Sequence, residues 1–442
     1  MQDVNIFFDE KGPTKTIRQS KNSSHQFNYQ QGDNIPAYVC VYLAIPKDKQ
    51  SYFEYVYNNI EEKYRQKHSQ IDEIKGKDIF KSVNVFQDIK TDSAILLNSL
   101  IDLINDVGAT LQLSLLDKSQ VLVAHKLKNW LFSLEENYSI NLHFVFYTIT
   151  KYLRTEDSSY GSTFTQALSN PSLTTNQILN ELRNCLQNFT KKNANIPRMQ
   201  SEFNAYNQLL HILDNCPGDD TIISDSAVFP TDQLAFGLDL FVLADQVDSP
   251  RNTISIYLDQ DAPKDGYQEN DFKDIKSDVD SREASGVRAC DLLVVLLGKI
   301  ISHIDSSERY DTKKPEKQTK LGTEFFNFPS GKQLSRNVQV KKNEQLKLIA
   351  GIYKLIYQSN NQYSMFCSDF ADYAYSFQSL LETLLDSPES YSMEQLANKQ
   401  LQSTLRLMQL KFDEIKKNES IRINQMAKST RRLIDDKILK PL

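Results

Sequence analysis

The chain predicts an α/β domain with a mixed sheet and helical insertions, followed by an all-α C-terminal region. Three observations carry this. Short apolar runs rich in β-branched and aromatic residues alternate with stretches of helical period through the first 305 residues or so. The first two runs are joined by a polar loop and read as an antiparallel pair, so the sheet is mixed rather than wholly parallel. Beyond residue 345 the apolar spacing is helical throughout.

Val4 to Asp9 is the first strand, closed by the turn residues Gly12 and Pro13. Ala37 to Ile45 is the second, and Pro46 ends it. A helix follows, with Phe53, Val56, Tyr57, Ile60 and Tyr64 on one face. Asp92 is placed to cap a helix over Ser93–Val107, which Gly108 stops. Leu111–Leu116 reads as a strand, Ser119–Glu136 as a helix and Leu142–Ile149 as another strand. Residues 158–175 read as loop, and 176–191 and 199–214 as helices of an insertion near 150–250. Helix Thr231–Val247 leads into strand Thr253–Asp259, and an apolar helix spans Val287 to about Ile304. Residues 306–345 form a Lys-rich linker or arm, and 346–442 a helical domain with segments 344–358, 366–385 and 393–438. Leu396, Leu401, Leu405, Met408, Phe412 and Ile415 make an apolar stripe on the last of these, either a packing face or an arm for a protein partner or second copy.

Bulk composition narrows the class. The net charge of -6 does not advertise nucleic-acid binding for the whole chain, but the charge is uneven. Residues 219–283 carry 16 acidic against 5 basic side chains, whereas 309–354 carry 11 basic against 4 acidic. That is the pattern of a metal site beside a phosphate-binding segment, or of a solvated loop and a charged linker. The five cysteines form no CxxC pair, which argues against structural zinc and a disulfide framework. The longest apolar run, Leu292 to Leu297, is too short to span a bilayer, and a soluble, cytoplasmic protein is expected. No P-loop, HExxH motif or nucleophile elbow is present.

The chemistry lies in carboxylates. Asp9 and Asp259 each end an apolar strand, and Asp291 sits within an apolar helix before Leu292, Leu293, Val294 and Val295. An acid in such a place is costly unless it is paired, capped or bound to metal. Singly, each has an ordinary explanation in turn chemistry or the helix dipole. Together they suit a pair of divalent cations roughly 4 Å apart, which need hard oxygen ligands from several elements. Glu10 points to the opposite strand face from Asp9 and is the poorer ligand. Asp225 and Asp261 are rivals for the position of Asp259.

Asp9-Glu10-Lys11-Gly12 resembles the Asp-Glu-Ser/Ala-Gly signature of the bacterial domain-of-unknown-function family 3800. In the same order, Glu73-Ile74-Lys75-Gly76 resembles its Glu-x-Lys/His segment. Asp280-Ser281-Arg282 and Gly286-Val287-Arg288-Ala289-Cys290-Asp291-Leu292-Leu293 resemble its closing pattern. The resemblance implies an RNase H-like fold and Mg²⁺- or Mn²⁺-dependent nuclease chemistry, in a family often found near anti-phage defence genes. It implies metal ligation by Asp9, Glu73, Asp259 and Asp291, with Lys75 on a phosphate or leaving group. Lys11 stands where the family has a small residue, and Arg288 where it has Gln; both are candidate phosphate contacts. The same two cations favour an alternative, a non-catalytic RNase H-like module that binds nucleic acid or a partner protein.

Overall fold

The computed structural model describes residues 3–11, 17, 27, 37–68, 74–83, 86–138, 140–157, 163–195, 200–225, 227, 231–242, 249–260, 262, 267, 272–308, 336–358, 365–367, 372–386, 395–396, 398–410 and 413. Six strands form one mixed sheet: β1 (Val4–Lys11), β2 (Ala37–Pro46), β3 (Thr110–Asp117), β4 (Ser255–Asp259), β5 (Asp274–Val279) and β6 (Met365–Cys367), in the order β5-β4-β1-β2-β3-β6. β2 runs antiparallel to β1 and β3, while β4 lies parallel to β1, β5 parallel to β4, and β6 parallel to β3. The carboxyl ends of β1, β3 and β4 therefore share one edge of the sheet. β2 is buried along its whole length, as expected of a strand covered on both faces.

The helices are α1 (Gln50–Lys67), α2 (Gly76–Ile79), α3 (Thr91–Asp106), α4 (Lys118–Tyr138), α5 (Leu142–Asp157), α6 (Thr163–Ser169), α7 (Thr175–Asn193), α8 (Gln200–Asn215), α9 (Thr231–Phe241), α10 (Ser285–Glu308), α11 (Arg336–Tyr353) and α12 (Asp372–Asp386). Two cores flank the sheet. On one face, Phe7 of β1 and the odd-numbered residues of β2 meet α1, α3, α10, α11 and α12. On the other, Ile6 and Phe8 of β1 and the even-numbered residues of β2 meet α4 to α9. The two-residue period of β1 thus decides which core each side chain enters. α10 lies directly on β1: a Cβ at Gly286 would sit 2.3 Å from the Phe7 ring, so glycine is what permits the approach.

Several expectations are corrected. Leu142–Ile149 is helical, part of α5; its buried Val145, Ile149, Tyr152 and Leu153 follow helical spacing, and a short β-branched run carries no period that separates the two. α6 occupies part of the expected loop, and Thr174 forms a capping box for α7 with Gln177. Asp92 lies inside the first turn of α3, behind Lys90 at the cap position, so it does not cap. β5 was not expected; it is an edge strand whose exposed positions carry Asp274, Lys276 and Asp278, charges that read as loop in sequence and discourage edge pairing in the fold. The C-terminal region is not all-α, because β6 extends the sheet beside β3. Nor do its helices build a core of their own: Leu348, Ile349, Ile352, Phe377, Leu380 and Leu381 enter the same cluster as Phe7 and α10. Residues 309–335 of the expected basic arm lie outside the described residues. In the segment 398–410, Gln400 and Thr404 face inward while Leu401 and Leu405 are 56% and 55% exposed; Phe412 and Ile415 lie outside the described residues. Among the described residues, no helix is long and apolar enough to cross a membrane.

Candidate metal centre

Asp9 projects from β1 on the face of Phe7, toward α10, and is only 7% exposed. Its Oδ1 accepts a hydrogen bond from the Glu10 backbone N–H at 2.7 Å. Burial pushes its carboxyl well above the ordinary aspartate range, and the negative charges of Asp291, Glu10 and Asp259 push it further. Glu10 turns to the opposite face, where its charge raises the buried Cys40 thiol and the Tyr42 and Tyr267 phenols. It is therefore no partner of Asp9 in a shared ligand set, as the strand period predicts.

Asp259 comes to Asp9 through strand register. β1 and β4 pair at Phe7↔Tyr257 and Phe8↔Leu258, so the next step brings Asp9 beside Asp259. Phe7 and Tyr257 stack with ring centroids 4.8 Å apart, which marks the same face of both strands. The β4–β5 register shifts between Tyr257 and Asp259. In that irregularity Asp278 adopts φ +60, the left-handed region that costs a non-glycine residue roughly 1–2 kcal/mol. Bulges of this kind re-aim neighbouring side chains at functional edges.

Asp291 arrives from the second turn of α10. Its Oδ2 accepts the Gly76 N–H at 2.6 Å, joining α2 to α10. Gly76 is required there: an added Cβ would lie 2.8 Å from both the Asp291 carbonyl oxygen and the Val295 Cβ. Burial raises the Asp291 carboxyl; the Gly76 hydrogen bond, then Lys11, lower it, Asp259 raises it, and Lys75 lowers it. Lys11 and Lys75 thus stand within electrostatic reach of Asp291. One helix position earlier, the Cys290 thiol donates to the Phe7 carbonyl at 3.4 Å, fixing the height of α10 over β1.

The structure brings Asp9, Asp259, Asp291, Lys11 and Lys75 into one neighbourhood. Glu73 and Asp261 lie outside the described residues. Asp225 lies elsewhere, exposed beside His125 and Lys126 of α4. Arg288 needs a correction. It is 8% exposed and donates to Glu61, Asn58 and the carbonyls of Ser281 and Arg282, with its guanidinium over the Tyr57 ring. These hydrogen bonds and the cation–π contact occupy it, so it clamps α10 to α1 rather than holding phosphate. Glu61, its buried ion-pair partner at 3.1 Å, was not singled out in sequence because it sits 227 residues away on an ordinary helix face.

Among the described residues, no three His, Cys, Asp or Glu side chains form a ready-made metal-ligand group. What the fold supplies is a set of hard oxygen donors whose charges repel at the end of a buried strand. The strongest charged neighbours of Asp9 are all acids. That donor set fits Mg²⁺ or Mn²⁺, which would relieve the repulsion. In class, the fold and site define a mixed α/β domain with an acidic cluster at the carboxyl edge of its sheet. Comparison with protein-family models, curated proteins and solved structures gives no match.

Proposed function

We propose that this chain is a metal-dependent phosphodiester hydrolase, a nuclease built on an RNase H-like sheet and acting in a defence or toxin setting. The observation that carries the reading is the meeting of Asp9, Asp259 and Asp291 from β1, β4 and α10, where burial raises the carboxyls of Asp9 and Asp291. The mixed sheet, with its β1–β2 antiparallel pair and β4 laid parallel on the other side of β1, supports the RNase H-like form. Five free thiols suit a reducing cytosol. Asp9 and Asp259 are placed to hold a divalent ion, and Asp291 to complete its surroundings. Such an ion, when bound, lowers the pKa of water and offsets charge on a phosphate. Lys75, beside Asp291, is placed to meet a phosphate oxygen. Gly76 keeps Asp291 in position through its backbone N–H.

The test is cleavage of single- and double-stranded RNA and DNA with Mg²⁺ or Mn²⁺. Wild-type protein should cleave one of these, and Asp9→Asn and Asp291→Asn should abolish cleavage with unchanged circular dichroism. Equal activity in wild type and both variants would overturn the proposal. Lys11 and Lys75 near Asp291 favour a second reading, a non-catalytic module that binds nucleic acid or a partner protein. Calorimetry with Mn²⁺ separates the two, since the module shows no carboxylate-dependent binding.

A further inference from the structure

The charges around the three aspartates are distributed unequally. Asp9 and Asp259 stand side by side on neighbouring parallel strands, one step past the Phe8↔Leu258 pair. Strands in a sheet lie roughly 4.8 Å apart, a spacing that one ion can bridge with a carboxylate from each. Asp291 is differently placed. One of its oxygens is already engaged by the Gly76 N–H at 2.6 Å. Lys75 immediately precedes that glycine, at the cap of α2. Lys11 follows Asp9 by two residues in β1, pairs with Val39 of β2, and so lies on the same strand face as Asp9. Both lysines act on Asp291, whereas acids dominate around Asp9.

Three carboxylates and two ammonium groups leave one net negative charge. A single divalent ion converts this to one positive charge, which an incoming phosphodiester offsets. Two divalent ions would leave three positive charges in a partly buried space, with the second ion crowded against Lys11.

We propose that the centre takes a single divalent cation, held by Asp9 and Asp259, and that the Lys11 ammonium stands in for a second cation on the Asp291 side. This rests on the reading of the cluster as a metal centre and replaces the expectation of a two-metal site. It also gives the lysine a positioning role: it balances Asp291 and leaves the β1–β4 side for the ion.

The test counts ions. Full-length protein stripped with EDTA is titrated with MnCl₂, following heat and the free-Mn²⁺ electron paramagnetic resonance signal. One Mn²⁺ per wild-type chain is expected, with loss of that ion in Asp259→Asn. Lys11→Ser should bind two and show the spin-coupled signal of a close Mn²⁺ pair. Lys11→Met, which keeps the side-chain stem and loses the charge, is used if Lys11→Ser melts below wild type. Two ions in wild type would overturn the single-cation proposal and leave the metal-centre reading standing. No carboxylate-dependent ion in wild type would overturn the metal-centre reading itself. A lysine variant that still binds one ion would show that Lys11 does not stand in for the second.

Discussion

Replacing Asp9 with asparagine should make the metal-free protein more stable while destroying its metal affinity. Asp9 is buried, its charge faces acidic neighbours, and its Oδ1 accepts the Glu10 N–H. Asparagine has nearly the same shape and keeps an oxygen for that N–H, so the substitution removes charge and little else. Two unit charges about 5 Å apart repel by roughly 3 kcal/mol at an effective dielectric constant near 20. Asp259 is half-buried and solvent at the sheet edge screens part of this, so the expected gain is about 1–3 kcal/mol. The sign follows from the raised folded-state pKa of Asp9. The folded protein holds that proton more tightly than the unfolded chain, so stability falls as pH rises from the ordinary aspartate value through the raised one, then levels. The Asp9→Asn variant has no such fall. Urea unfolding in EDTA should therefore show the two proteins close together near pH 4 and the variant ahead at about pH 7.5. Mn²⁺ should reverse the order at the higher pH by stabilising wild type alone. A variant that is less stable than wild type in EDTA at that pH would refute the account of Asp9 as a repelled, buried charge.

Three other substitutions probe the scaffold. Arg288→Ala strips the buried Glu61 of its ion-pair partner and should cost about 3–5 kcal/mol in urea unfolding. Retention of wild-type stability would show that the clamp between α1 and α10 is not formed. Gly76→Ala pushes a methyl group into the Asp291 carbonyl and Val295; a loss of about 1–3 kcal/mol is expected, together with weaker Mn²⁺ binding by calorimetry. Unchanged stability and affinity would mean that α2 does not rest on α10. Asp278→Val places a β-branched residue at φ +60 and should destabilise by about 1–2 kcal/mol, whereas Asp278→Gly should be tolerated. Equal melting temperatures for the two would remove the left-handed bulge beside Asp259.

The strands that place the acids were legible because β1, β2, β3 and β4 are apolar runs of the right length with turn residues or polar segments at their ends. Asp9 and Asp291 stood out for the same reason, as acids in apolar surroundings. α5 was misread because its first eight residues, rich in Phe, Val, Ile and Tyr, fit either period, and only its packing against α4 and α8 decides. β5 and β6 were missed because neither looks like a strand alone. One is an acidic edge, and the other is three residues long and stabilised by pairing with β3. The role of Arg288 was hidden for a different reason. Nothing local shows that Glu61 and Asn58, on a helix more than 200 residues earlier, will surround its guanidinium. Gly76 was visible as a turn residue, but the approach of α10 that makes it necessary is a tertiary fact.

The register that sets β4 against β1 also sets a schedule. β1 is made first, yet its partner on one side begins only at Ser255, and the helix bearing Asp291 comes later still. Until some 290 residues have left the ribosome, the nascent chain holds Asp9 without the full set of its companions. A chain interrupted before Ser255 carries an unpaired strand edge and no assembled acidic cluster, so truncated translation products are aggregation hazards without being premature enzymes.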